Sequence, residues 1–170
     1  MYRPTVMLGG VPLVIHAGPP TQRYSPLGGP EVIRLSQGAG VVMTHWARTA
    51  ISLSGQGLMP LGLQGLDYRN PLELRCTQPR SVQGADPVLQ LQGQVRPDFP
   101  PWADALVDGL WWRRPVTLIG QQATVEPADG ASLYRVSWMP VFMVSSKGPE
   151  ESMDGEAGGA YSWTLECEEL

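Results

Sequence analysis

The chain has 170 residues, with 20 Gly, 17 Pro, two Cys and a formal net charge of −4. That length suits one domain with or without an appended arm, and roughly 70% of the unfolded surface can be buried without staples. Two Cys exclude a disulfide framework, an acidic net charge excludes the basic field of a nucleic-acid binder, and no apolar run reaches the roughly 18 residues that span a membrane.

Gly and Pro are scattered among apolar runs, which reads as many turns between short strands and not as disorder. The opening stretch MYRPTVMLGGVPLVIHAG has one Arg and is cut by Gly9, Gly10 and Pro12, so it lacks a signal-peptide core. Apolar segments 2–8 and 11–16 predict a hairpin at Gly9-Gly10. Residues 17–30, AGPPTQRYSPLGGP, predict a long exposed loop, of a kind that often contacts a partner. Segments 31–36 and 40–46 predict a strand pair around Gly38 and Gly40. In 48–54, Ile51 and Leu53 alternate with Ser52 and Ser54, as in a half-buried strand. A Gly/Pro-punctuated connection follows over 55–71.

Residues 72–76 place Leu72, Leu74 and Cys76 on one face, and 88–95 place Leu89 and Leu91 against Gln90 and Gln92. The spacing over 100–112, PPWADALVDGLWW, predicts the one short helix: Pro100-Pro101 suits its start, and Asp104 and Asp108 share a face. Residues 116–119 and 122–125 predict a hairpin at Gly120. In 132–144, Tyr134, Val136 and Trp138 share a face, and Pro140 implies an edge or a bulge. Residues 147–159 have linker composition. Residues 160–168 then alternate Tyr161, Trp163, Leu165 and Cys167 with polar neighbours, a strand able to close its own sheet or to reach a neighbouring subunit.

The expected fold is mainly β, a β-sandwich or β-barrel of about nine to eleven strands with one short helix and long Gly/Pro-rich loops. Charge divides the chain at 146: residues 1–146 hold 11 Arg against 9 acids, whereas 147–170 hold one Lys against 7 acids. The expected organisation is therefore a β-sandwich domain over 1–146 and an acidic linker with a C-terminal strand or arm over 147–170.

No constellation points to catalysis, a metal or a cofactor. His16, His45, Cys76 and Cys167 lack the paired spacing of structural zinc sites, and packed or surface roles fit them better; whether Cys76 and Cys167 meet is left open by their positions. Gly55-Gln56-Gly57 has Pro60 where a dinucleotide loop needs its third Gly. Asp104 and Asp108 are better read as a solvated face than as a glycosidase pair. Trp111-Trp112-Arg113-Arg114 is the most informative surface candidate, because Trp and Arg are enriched in interface hot spots. The same residues also suit a core Trp pair with snorkelling Arg. Asp67-Tyr68 reads equally as a contact loop or as a turn cap with a half-buried Tyr. These six, with Tyr161 and Trp163 of the C-terminal arm, are the expected interface residues.

The stretch SLSGQGLMPLGLQGLDYRNPLELRC, residues 52–76, resembles the distal-tail and baseplate-ring proteins of long-tailed bacteriophages. Its matching elements are Ser54-Gly55, Gly57, Pro60, Gly62-Leu63, Leu66-Asp67-Tyr68, Pro71-Leu72 and Cys76, and Arg96-Pro97-Asp98 and Trp138-Met139-Pro140 fit loosely. The resemblance implies a structural protein with no enzymatic activity and no cofactor. It implies a virion subunit, assembled in the bacterial host cytoplasm, that forms a ring, commonly a hexamer, between the tail tube and the baseplate hub. No nucleic acid or membrane is expected as a partner. A carbohydrate- or host-surface-binding β module, whose Trp and Tyr stack on sugars, is the competing expectation. A small hydrolase on a β scaffold is the third.

Overall fold

The computed structural model describes residues 4–13, 17, 19–156 and 158–170. Its strands are β1 (Met7–Leu8), β2 (Val11–Pro12), β3 (Thr21–Arg34), β4 (Gly40–Gly57), β5 (Leu72–Arg75), β6 (Arg80–Gly84), β7 (Val88–Gln90) and β8 (Gln94–Val95). They continue with β9 (Trp102–Val107), β10 (Leu110–Arg114), β11 (Val116–Ile119), β12 (Gln122–Val125), β13 (Ala131–Trp138), β14 (Pro140–Asp154) and β15 (Ala160–Glu169). The fold is mainly β, with several antiparallel sheets and no closed barrel among the described residues.

The chain divides into two compact units, one of residues 1–7 and 74–142 and one of residues 8–73 and 143–170. This differs from the division at 146 expected from charge: the acidic C-terminal segment shares a unit with the N-terminal half. Acidic residues at solvent-facing positions of a strand leave its alternation intact, so a charge boundary is not a folding boundary.

In the first unit, one sheet runs β10-β9-β13-β6 and another runs β11-β12-β7. They enclose one cluster built from Leu89, Leu91, Ala103, Ala105, Ala123, Val125, Tyr134, Val136 and Trp138. The expected inward face of Tyr134, Val136 and Trp138 and the hairpin at Gly120 are both present. The expected helix over 100–112 is absent. Ala103 and Ala105 are fully buried between partly exposed Trp102, Asp104 and Leu106, which is period two. Asp108 (φ 50°) and Gly109 (φ 78°) make a left-handed two-residue turn between Val107 and Leu110. Asp-Gly is the residue pair such a hairpin turn prefers. Ala reads as helix-forming in isolation, but here its small side chain fits under the facing sheet.

The segment 88–95 is two strands, broken at Gly93 (φ 92°). Pro140 does not interrupt a strand: β13 ends at Trp138 and Pro140 opens β14, opposite Val95, a position where no ladder N–H is missed.

In the second unit, β14, β15, β4 and β3 pair in that order, all antiparallel. Ile51, Leu53, Trp163, Leu165 and Cys167 lie buried on one face, and Ser52, Ser54, Ser162, Thr164 and Glu166 occupy the alternate positions. The loop expected over 17–30 is strand from Thr21 onward. Pro26 and Pro30 are tolerated because β3 ends the sheet, and the register shifts between Gly28 and Pro30. The linker expected over 147–159 is also strand as far as Asp154, entered through an irregularity between Ser146 and Pro149. There Gly148 (φ 96°) lies against the Tyr68 ring.

Candidate assembly surfaces

In the second unit, β15 pairs β4 from Tyr161 opposite Gly57 to Glu168 opposite Ala50, while β3 and β4 continue together to Arg34 opposite Gly40. Beyond Ala50 the pair is therefore a two-stranded ribbon of about nine residues a side, about 30 Å long at ~3.3 Å per residue. Direct pairing puts Val32 with Val42 on one face and Ile33 with Val41 on the other. Both faces are apolar and both are open: Val32 is 56% exposed, Val42 64%, Trp46 55%, and Ile33, Leu35, Val41 and Met43 are also exposed. At the ribbon's base the Trp46 ring lies over Gly28, where a Cβ would sit 2.6 Å from it. Gly28 (φ 68°) is required there both by its backbone and by that ring. An isolated two-stranded ribbon is at best marginally stable in water. The strand pair over 31–36 and 40–46 was legible in the sequence; that no third strand among the described residues pairs with it was not.

In the first unit, Trp111, Trp112, Arg113 and Arg114 lie on β10, the last strand of its sheet. Trp112 is 57% exposed. The Arg135 guanidinium stacks 4.0 Å from the Trp111 ring centroid, and its buried Nε has no hydrogen-bond partner among the described residues. Arg113 Nε lies 3.4 Å from Asp104 Oδ1; with Arg113 largely exposed, that pair stabilises little. Arg114 donates to the carbonyls of Glu126 and Pro127 at 3.3 and 2.8 Å. Both Trp side chains reach solvent, so the alternative of a core Trp pair does not hold. Asp104 and Asp108 do not share a helix face: one lies on a strand and the other in its turn.

Of the remaining expected contact residues, Trp163 is buried, Tyr68 and Tyr161 are half-buried, and Asp67 is exposed in a turn. Trp163 is 3% exposed and donates its indole N–H to the Ala17 carbonyl at 2.7 Å. It is a core residue of its own unit, beside half-buried Tyr161. Tyr68 donates its hydroxyl to Leu63 O at 2.9 Å. Burial raises its pKa, and Cys167 and Glu151 add to the shift. Asp67 caps a turn, accepting from Arg69 N at 3.1 Å and Asn70 Nδ2 at 2.8 Å. Those bonds, first the Arg69 backbone and then the Arg69 side chain, hold its carboxyl below the usual value. Leu61 and Leu63 are buried, and Leu61 N donates to Glu151 Oε1 at 3.0 Å. The 58–71 connection is thus tied to its own unit, with Leu58 and Met59 left exposed.

Arg96 is the residue whose role sequence reasoning missed. It is 1% exposed; its Nε and Nη2 clamp Asp98 at 2.7 and 2.8 Å, and its Nη1 donates to Thr5 O and Cys76 O. The Arg96 hydrogen bonds hold the Asp98 carboxyl below its usual range. The R-P-D spacing, two residues apart across a Pro, was the available signal.

His16 lies outside the described residues, and His45 is exposed on the ribbon. Cys76 and Cys167 are both buried, and no disulfide joins them. Burial pushes the Cys167 thiol up to about 11, and a thiol held protonated is a poor nucleophile. Among the described residues no group of three or more His, Cys, Asp or Glu is placed to hold a metal ion, and no helix is long and apolar enough to cross a membrane. An open groove of about 750 Å³ runs over the polar face of the second unit's sheet, with Thr21, Ser54, Gln56, Glu150, Ser162 and Thr164 in its lining. Comparison with protein-family models, with curated proteins and with solved structures finds no match to this chain.

Proposed function

We propose that the protein is a structural subunit of a bacteriophage tail or baseplate that assembles with copies of itself into a ring between the tail tube and the tail tip. One observation carries the self-assembly: the β3–β4 ribbon presents apolar side chains on both faces and, among the described residues, has no further strand beside it beyond Ala50. A monomer rarely exposes so contiguous an apolar surface, and a ring of identical subunits covers such an arm with the next copy. The resemblance of residues 52–76 to distal-tail and baseplate-ring proteins supplies the place in the virion, the six-fold order and the neighbours, a tube protein above and a hub protein below. The reading assigns no catalysis, cofactor or nucleic acid to the chain.

Molar mass by light scattering, with electron microscopy of the same peak, tests this. The expected result is a closed ring that dissociates when Val32, Val42 and Trp46 are together replaced by Thr, Thr and Ser. A monomer at high concentration, unchanged by those substitutions, overturns it. A second reading, a carbohydrate- or host-surface-binding module, is favoured by the polar groove of the second unit. It predicts glycan binding that is weakened by Gln56→Ala and Thr164→Ala and indifferent to the ribbon substitutions.

A further inference from the structure

The Trp-Trp-Arg-Arg strand has a property that exposure alone does not describe. β10 closes its hairpin with β9 through the two-residue Asp108-Gly109 turn, and Val107 stands opposite Leu110. In a two-residue hairpin the closing pair carries the ladder bonds, and the bonding alternates from there. Leu110, Trp112 and Arg114 therefore direct their N–H and C=O toward β9. Trp111 and Arg113 direct theirs to the open edge. That edge is regular: the register runs from Leu110 opposite Val107 to Arg114 opposite Ala103 without a shift. It has no Pro, Lys or bulge, the usual devices that blunt an edge. The edge strand of the other unit, β3, does have them, with Pro26, Pro30 and a register shift at Gly28/Pro30.

We infer that β10 pairs antiparallel with β10 of a second copy of this chain about a two-fold axis at Trp112, joining two four-stranded sheets into one of eight strands. The register follows from the residues. Antiparallel partners must both face the junction or both face away, which restricts the axis to Trp111, Trp112 or Arg113. An axis at Arg113 sets that guanidinium against its own copy and asks Pro115 for an N–H it lacks. An axis at Trp111 draws Gly109, a left-handed turn residue, into the ladder. An axis at Trp112 uses strand residues alone. Trp111 then exchanges both backbone bonds with the partner's Arg113, and Arg113 with the partner's Trp111, four hydrogen bonds in all. Trp112 meets the partner's Trp112 as the non-hydrogen-bonded pair, where side chains approach closest.

Charge agrees with that register. LWWRR read antiparallel against itself places Leu110 opposite Arg114, Trp111 opposite Arg113 and Trp112 opposite Trp112, so no like charges face each other. Each Trp111 gains a cationic neighbour on the face where Arg135 already stacks on it. Parallel pairing would align arginine with arginine. The inference deepens the self-assembly reading at one of its surfaces and rests on this chain associating with itself. It does not rest on the ribbon or on a phage tail: a two-fold contact of this kind joins two subunits, or two rings back to back.

The test is cross-linking in the full chain. A non-hydrogen-bonded antiparallel pair has Cα atoms about 4.5 Å apart, within the range of about 4.4–6.8 Å that a disulfide spans. Trp112→Cys at micromolar concentration, under a mild thiol oxidant, is expected to give a reducible dimer at least about tenfold faster than Asp129→Cys, since a held pair sees its partner at near-millimolar effective concentration. Asp129 is exposed in the same unit, and the native thiols are buried, so the background is low. Arg113→Pro added to Trp112→Cys removes an outward N–H without touching the β9 ladder, and is expected to return the rate to that of the control. Equal rates for Trp112→Cys and Asp129→Cys, or a faster rate for Trp111→Cys, overturn the pairing or its register. Light scattering on the unsubstituted protein separates the two readings. A ring with background cross-linking overturns the edge pairing alone. A dimer with fast cross-linking and no ring overturns the ring alone. A monomer with background cross-linking overturns both.

Discussion

The two halves of the β3–β4 hairpin are the same two strands in the same ladder, yet they have different fates. Near Ile51 and Leu53 the pair is flanked by β15, and both side chains are completely buried. Past Ala50 the alternation continues through Val42, Val32 and Ile33 with exposures from 48 to 64%. Local sequence chemistry is alike in the two halves; what differs is whether a neighbouring strand and a second layer are present. Burial belongs to the assembly of elements and not to the strand. An apolar strand left uncovered is the feature on which the proposed self-assembly rests.

That contrast can be tested by removing sealed and unsealed contacts in turn. The largest effect is expected where a charge is sealed in. Asp98→Ala leaves the Arg96 guanidinium buried without its carboxylate, which costs about 4 kcal/mol of unfolding free energy, read from the urea midpoint. The pH dependence has a definite sign. Arg96 lowers the folded pKa of Asp98, so the contribution is complete above the unfolded value of about 3.9 and is lost as pH falls through the lower folded value. The substituted protein should therefore show a flatter acid limb than the parent. An identical limb would mean that Asp98 does not hold Arg96 in solution.

A smaller loss, about 3 kcal/mol, is expected for Leu53→Ala in the sealed half of the hairpin, from lost transfer energy plus the cavity left behind. The smallest is expected for Val42→Thr in the open half: under about 0.5 kcal/mol in the dissociated protein, with the molar mass of the assembly falling nonetheless. If Val42→Thr destabilised the dissociated chain as much as Leu53→Ala, the ribbon would be covered by its own chain and the contrast would fail.

Legibility in the sequence followed the same line. The strands around Leu53, Leu89, Tyr134 and Leu165 could be read because alternation and burial coincide there. The stretch 100–112 misled, since Ala, Leu and paired Asp suit a helix, and the Asp108-Gly109 turn between two period-two runs was the stronger signal. Residues 21–30 and 147–154 looked like loop or linker because Pro, Gly and acids weaken a central strand; an edge position and a register irregularity removed that objection. Of the expected contact residues, Trp111 and Trp112 reach the surface, whereas Trp163 is core. Nothing local distinguishes a Trp on an edge strand from one on a strand flanked on both sides.

By itself the sequence determined a mainly β chain of short alternating strands with turns at Gly9-Gly10, Gly38 and Gly120, because side-chain period and turn stereochemistry are local properties. Only the tertiary structure decided that the acidic C-terminal strand is an interior strand between β14 and β4, that Arg96 is buried in a clamp, and that the ribbon and β10 are left open. Each of those depends on which strand lies beside which, and pairing across more than a hundred residues of chain is set by packing that no local window contains.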